Sequence, residues 1–546
     1  MKTEVVLDAG AVSRCRRRVH LEHDPAMREV PLSPPDPTAQ QRIADATAHR
    51  EDIVSRLMAA NPGHWVKIDR GLPAHERVEQ TEQAFAAEAQ YIWGALFPVD
   101  AAGHRRGGID LLVRTGRGYV PVLVVRHRIS DRGTGAIVTE LTDLDPAHRG
   151  ADEHRKVRSQ PRDQLRLVHI RRMLQTLGQA DEGLAVGGVI GLDADVVVWH
   201  DLTAGTWPGG RSALTEYQAR FADRLAIATA AANGEEPLAE PSRVLECRRC
   251  PWWPTCEVVL TETRDVSLVV RGEDAMELRR AGVSTVDELA ALDPAGEPPA
   301  VNWTGVTFPD AVVLARAWLA DLTLVRRVEA VEVPRADVEV DVDMESFGDA
   351  GAYLWGCLLT GADIGLEPGY RAFATWDPLP TDDEARSFAE FWAWLTDVRK
   401  RTEAAGLTFR AYCYNALAEN RWLFGSVERF GDYPGVPAKK DIQSFVDSDE
   451  WVDLFRSVTD QFLCSHGKGL KVIAPVAGFS WRDPEAGGEA SMRWYRDAVG
   501  MDGEVPDDVQ RERLLRYNED DVLATQALRE WIDARAQAEV PYMFDL

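Results

Sequence analysis

Two carboxylates in the run EVDVDMESF could do chemistry together. Asp343 and Glu345 are two residues apart, which in a strand puts both on one face, about 6–7 Å apart. On an otherwise apolar strand two acids repel each other and lose hydration unless a cation lies between them. Magnesium or manganese, hard ions that take oxygen ligands, is the natural partner. Asp341 reads as a solvated, flanking member of the same face. Near the C-terminus, YNEDDV sets Tyr517 and Asp521 four apart, one helical turn and therefore on one face. Between these segments, YCYNALAENRWLF places Asn415 and Glu419 at a strand's end and a helix's start, again four apart. Each pattern is common alone. Their order and context together are much less often accidental.

Cysteines supply the second group. Of the seven, Cys247, Cys250 and Cys256 follow C-x2-C-x5-C, and Cys15 is the only other in that half of the chain. Tetrahedral zinc or an iron–sulfur cluster needs four ligands. An odd cysteine count, with no apolar secretory core in MKTEVVLDAGAVSRCRRRVH, speaks against a disulfide framework and for the cytoplasm. A 4Fe-4S cluster, a Zn2+ site and buried unliganded thiols all remain open from spacing.

These groups need a scaffold. At 546 residues, 45% of them apolar, the chain is long enough for several cores. No apolar run is long enough to span a membrane. The net charge of -26 does not exclude nucleic acid, because the local field at a site counts for more than the sum. Residues 1–262 read as one α/β unit. Helices are expected over 37–61 and 79–96, the second from the stripe Phe85, Ala89, Ile92, Trp93 and Leu96. Strands Ile109–Arg114 and Tyr119–Arg126 flank a TGRG turn, a helix covers 163–176, and strands follow at 184–190 and 196–199.

Residues 263–330 read as a helix, a turn at Gly282 and a second helix capped by Ser284 or Thr285. This helix-hairpin-helix-like connector could present turn amides to phosphate. From 335 to 546 a second α/β unit begins with ADVEVDVDMES as a strand and AYLWGCLL as its hairpin partner. A helix striped by Phe388, Phe391, Trp392 and Leu395 follows, then the strand LTFRAYCYN and a long helix over 506–536. The fold class is α/β multidomain, its last part a mixed sheet flanked by helices.

The D-x-E strand, the N-x-x-x-E helix entry and the Y-x-x-x-D helix resemble the three exonuclease motifs of the DEDD superfamily. More narrowly, DMES, AYLWG, KGLK and YNEDDVLAT resemble the YprB-type RNase H-like domain, across nearly all of 335–546. That resemblance implies that Asp343, Glu345, Glu419 and Asp521 hold two metal ions, and that Tyr517 orients or deprotonates the attacking water. Glu419 stands where most of the superfamily carries Asp.

One early cysteine with a later triplet resembles the iron–sulfur clasp of RecB-like (PD-(D/E)XK-type) nucleases, implying a 4Fe-4S cluster on Cys15, Cys247, Cys250 and Cys256. TAHRED, GGIDLLVR and QLRLVHI resemble that family's His, Asp and Gln motifs, at His49, Asp110 and Gln164. Its acid-x-Lys strand reads here VPVLVVRHRIS, with Val124 and Arg126 in place of acid and lysine, which implies a degenerate centre surviving as a nucleic-acid-binding platform. The leading expectation is a 3'–5' exonuclease in repair or recombination, with DNA ahead of RNA as substrate and a helicase as a candidate partner. The alternatives are a non-catalytic nucleic-acid-binding adaptor and an RNA-processing nuclease with the same chemistry.

Overall fold

Valine-rich runs favour pleated, half-buried strands, and the first 262 residues use them so. The computed structural model describes residues 4–34, 39–485 and 487–546 and divides into two compact units, Met1–Glu262 and Thr263–Leu546.

The first unit is built on an eight-stranded mixed sheet. Its spatial order is Trp65–Lys67, Tyr91–Trp93, Leu111–Thr115, Gly118–Val124, Val186–Ile190, Val196–Asp201, Ala136–Glu140 and Gly150–Asp152. The strand period of two sorts the side chains of Gly118–Val124. Val120, Val122 and Val124 meet Ile53, Val54 and Leu57 of helix Ala39–Ala60. Tyr119 and Leu123 join the core under helices Pro161–Thr176 and Ala213–Ala232. Residues 37 and 38, at the start of the first expected helix, lie outside the described residues.

One expected element is wrong. The helix expected over 79–96 is Ala74–Ala86, followed by the strand Tyr91–Trp93. Glu88 takes a left-handed φ of 51°, and the Ala89 amide donates back to the Ala84 carbonyl at 3.0 Å. This is a helix-ending turn normally written with glycine, so the sequence carried no stop signal. Ile92 and Trp93 continue the apolar spacing of a helix, yet pair in parallel with Val66 and Lys67.

The second unit opens with helices Glu273–Arg280 and Val286–Ala290, joined through Gly282 at φ 87°. Thr285 caps the second helix, and Glu288 accepts the amides of Ser284 and Thr285 at 2.7 and 3.0 Å. Those turn amides, the ones expected to meet phosphate, are therefore taken by the protein's own carboxylate.

Beyond a short pair of strands, Leu324–Arg326 with Phe462–Cys464, lies a five-stranded sheet whose elements we number within this unit. They are β1 (Val338–Ser346), β2 (Ala352–Gly361), β3 (Gly369–Ala374), α1 (Asp383–Ala404), β4 (Phe409–Cys413), α2 (Leu417–Phe430), β5 (Trp451–Asp453), α3 (Gly488–Val499) and α4 (Asp508–Ala534). The spatial order is β3-β2-β1-β4-β5. The first three strands are antiparallel, and β4 and β5 run parallel to β1.

Alternation along β1 decides everything that follows. Val338, Val340 and Val342 enter the core with Phe388, Phe391 and Leu395 of α1. The odd residues 339, 341, 343 and 345 are all acids and share the opposite face. There α4 supplies Arg529, fully buried, which donates to Asp341 at 2.8–3.2 Å and to Glu339. Asp341 is thus no solvated flank. It is fully buried because a guanidinium from 188 residues away compensates its charge.

Candidate active site

Each acid of the expected constellation is placed by an element whose sequence favours it. Asp343 and Glu345 stand on the β1 face dictated by alternation, and α4 brings Tyr517 and Asp521 over them. Ligand atoms of Asp343, Glu345 and Asp521 lie within 4.8 Å of one another, the only such trio of potential ligands among the described residues. Glu419, in the first turn of α2, is buried, and its Oε2 has no hydrogen-bond partner. It is not part of that trio, but its charge is near enough to act on Asp343.

Burial and mutual repulsion distort these acids. Burial first, then the charges of Asp521, Glu345 and Glu419, holds the Asp343 carboxyl well above its ordinary range. Glu345 is pushed up to about 8 by burial and by Asp521. Glu419 also reaches about 8, through burial and the charges of Asp453 and Glu345. Asp521 is raised by burial against the opposing pull of Lys471, Trp481 and Tyr517. Acids this crowded fit a divalent cation, which would remove the repulsion and meet the open Glu419 oxygen. Asp343, Glu345, Asp521 and Glu419 are the residues that would hold such ions.

Several partners were not singled out from sequence. The Asn518 Nδ2 donates to Asp343 Oδ2 at 2.7 Å. Ser491 Oγ donates to Glu345 at 3.1 Å, and the Trp481 indole donates to Asp521 at 2.7 Å. Lys471, in the KGLK run, donates from its ammonium to the Tyr517 hydroxyl at 3.1 Å. Only the motif itself could have flagged it. Tyr517 also shares a hydrogen bond with Asp521. Burial and the neighbouring acids hold its phenol far above the ordinary tyrosine range. Asn415 instead takes a left-handed φ of 75°, and its amide donates to Asp453 at 2.9 Å.

In the first unit, Asp110 and Gln164 are occupied otherwise, while His49 keeps an unpartnered ring nitrogen. Asp110 is buried; its Oδ2 accepts the Val124 amide at 2.9 Å, and its Oδ1 accepts from Arg50 and Arg70. Two guanidiniums thus stand on the carboxylate where a nuclease would place its cation. Gln164 turns to Trp207, whose indole donates at 2.9 Å, and toward His200. Half-buried His49 has an unpartnered Nε2. Arg126 pairs with Asp45.

Cys15, Cys247, Cys250 and Cys256 line one small pocket, yet no three of their sulfurs gather within 4.8 Å. Zinc bonds of about 2.3 Å would draw four sulfurs to about 4 Å from each other, tighter than this arrangement. Burial raises the thiols of Cys247, Cys250 and Cys256, the last to about 12. Glu246 holds the early segment here, accepting the Cys15 amide at 2.6 Å and Arg18 at 2.9 Å.

A family model of the RNase H superfamily matches residues 426–533, a stretch that holds Lys471, Tyr517 and Asp521 but begins past β1 and Glu419. No curated protein and no solved structure matches the chain. The C-terminal domain is RNase H-like, within a mixed α/β protein. A domain of that superfamily is consistent with nuclease action on nucleic acid. Among the described residues, no helix is long and apolar enough to cross a membrane.

Proposed function

We propose that the protein is a metal-dependent nuclease whose chemistry resides in the RNase H-like domain, a 3'–5' exonuclease acting on DNA in repair or recombination. The observation that carries the hydrolytic part is the convergence of Asp343, Glu345 and Asp521 within 4.8 Å, beside the unpartnered Glu419 oxygen. Polarity, DNA preference and the repair role rest on the resemblance of the three motifs to DEDD exonucleases.

Two divalent ions, when bound, lower the pKa of an attacking water and neutralise charge on the attacking and leaving oxygens. Asp343, Glu345, Glu419 and Asp521 would bind them. Tyr517 would orient the water through its hydroxyl, whose position Asp521 and Lys471 fix from either side. The Lys471 ammonium, at the solvent-facing rim, would meet the negative charge of the phosphate. In the first unit, Arg50 and Arg70 on Asp110 favour a non-catalytic platform. By the resemblance to the four-cysteine clasp, Cys15, Cys247, Cys250 and Cys256, which line one pocket, would hold a 4Fe-4S cluster, with zinc as the alternative.

The test is digestion of end-labelled single- and double-stranded DNA and RNA with Mg2+ or Mn2+, wild type beside Asp343→Asn and Asp110→Ala. Release of 3'-terminal nucleotides from DNA that vanishes only in Asp343→Asn is the expected result. Metal-dependent digestion from the 5' end overturns the polarity, and a preference for RNA overturns the substrate. Binding without turnover in every protein favours a nucleic-acid-binding adaptor. Iron and acid-labile sulfide in protein purified without oxygen, with broad absorption near ~400 nm, would support the cluster; stoichiometric zinc in colourless protein would replace it.

A further inference from the structure

Asn518, on α4, is completely buried and donates from Nδ2 to Asp343 Oδ2 at 2.7 Å. Its other amide atom, Oδ1, accepts from the Tyr370 hydroxyl of β3 at 2.8 Å. An ionised carboxylate only accepts, so Asp343 takes the Nδ2 end of the amide. The Tyr370 hydroxyl, donating to Oδ1, holds the other end and so fixes where the amide stands.

The space for this amide comes from Gly356. In the β1–β2 register Gly356 lies directly opposite Asp343, between buried Trp355 and Cys357. A Cβ at 356 would stand 1.6 Å from Asn518 Oδ1 and 2.7 Å from its Cγ, distances no structure tolerates. Its backbone is not in the left-handed region, so glycine is needed here for room and not for conformation. Asn518 in turn holds the Asp343 carboxyl without adding a charge. A lysine or arginine at the same place would compete with a cation, as Arg529 does one turn of the strand away at Asp341.

We propose that Gly356, Tyr370 and Asn518 form a positioning relay that aims the Asp343 carboxylate for metal binding. Gly356 opens the space, Tyr370 anchors the amide oxygen, and the amide holds one oxygen of the Asp343 carboxylate. The inference rests on the reading of Asp343 as a metal ligand, and it adds three residues that never touch the ion. Hydrogen-bond partners of ligating groups commonly govern affinity in this way, at about 10- to 100-fold per residue.

The experiment measures Mn2+ affinity by calorimetry on the full-length protein, with the apo melting temperature as a second readout. Tyr370→Phe and Asn518→Ala should weaken Mn2+ binding about 10-fold or more, with near-UV dichroism unchanged. Gly356→Ala should lower the melting temperature. Gly356→Ala with Asn518→Ala should regain most of that loss, because the colliding amide is gone, but not the Mn2+ affinity. Affinities of Tyr370→Phe and Asn518→Ala within twofold of wild type, alongside loss of binding in Asp343→Asn, would overturn the relay and leave the metal site standing. Wild-type affinity in Asp343→Asn as well would overturn both.

Discussion

The Lys471 ammonium lies 3.1 Å from the Tyr517 hydroxyl and 4.5 Å from the centre of its ring, so one cation both donates to the phenol and sits over its face. The residue is largely exposed while its ammonium is drawn toward Asp521, Glu345 and Asp343. Lys471→Met should lower kcat about 10- to 100-fold with little effect on stability, the scale for one lost electrostatic donor at a reacting centre. Lys471→Arg should recover part of it. Single-turnover digestion of an end-labelled oligonucleotide measures both.

Crowded acids at a binding site weaken the fold that carries them. Asp343→Asn removes one charge from a cluster in which Asp343 is held high by burial and by three neighbouring acids. In EDTA the variant should melt several degrees above wild type. Excess Mn2+ should raise the melting temperature of wild type and leave Asp343→Asn unmoved, since an ion stabilises only a state that binds it. A thermal scan in both buffers decides it.

Asp110 should prove structural. Its carboxylate satisfies the buried Val124 amide and two partly exposed arginines. Asp110→Ala should therefore destabilise the first unit by about 2–3 kcal/mol, mainly from the orphaned amide, the exposed guanidiniums adding little. Metal-dependent nuclease activity should persist below the melting temperature. Urea unfolding and the digestion assay check the two halves of this expectation.

His169 makes the first unit acid-sensitive. The ring is fully buried between the Arg106 carbonyl and the Tyr217 hydroxyl, and burial lowers its pKa from the ordinary 6.5 to about 4. Between those values the unfolded chain binds a proton that the folded chain does not. Stability is therefore complete above about pH 6.5 and falls as pH drops toward 4, by about 3 kcal/mol in all. His169→Gln should flatten that segment of the pH profile of the urea midpoint. An unchanged slope would sink the idea.

Sequence alone determined the local geometry. The alternation of valines with acids from 338 to 345 already stated which face of β1 meets the core and which carries the site. The four-residue spacing of Tyr517 and Asp521 put both on one turn of α4. Such periodicities are set by the backbone once the element has formed. Asp343, Glu345 and Asp521 were legible for that reason, as was the Thr285 cap.

Tertiary structure decided the partners. Spacing alone does not say what either Asp341 or Asp343, two acids on one strand face, will meet. Packing of α4 gives the first a guanidinium from Arg529 and the second a neutral amide from Asn518, across 188 and 175 residues. The first acid is thereby neutralised as structure, and the second stays open to a cation. The same holds where a sequence pattern misled. Glu88 ended a helix with a left-handed residue no spacing rule could show, and the strand Tyr91–Trp93 formed because Val66 and Lys67 offered it a neighbour. Spacing specifies which side chains share a face, but long-range packing selects what each of them meets.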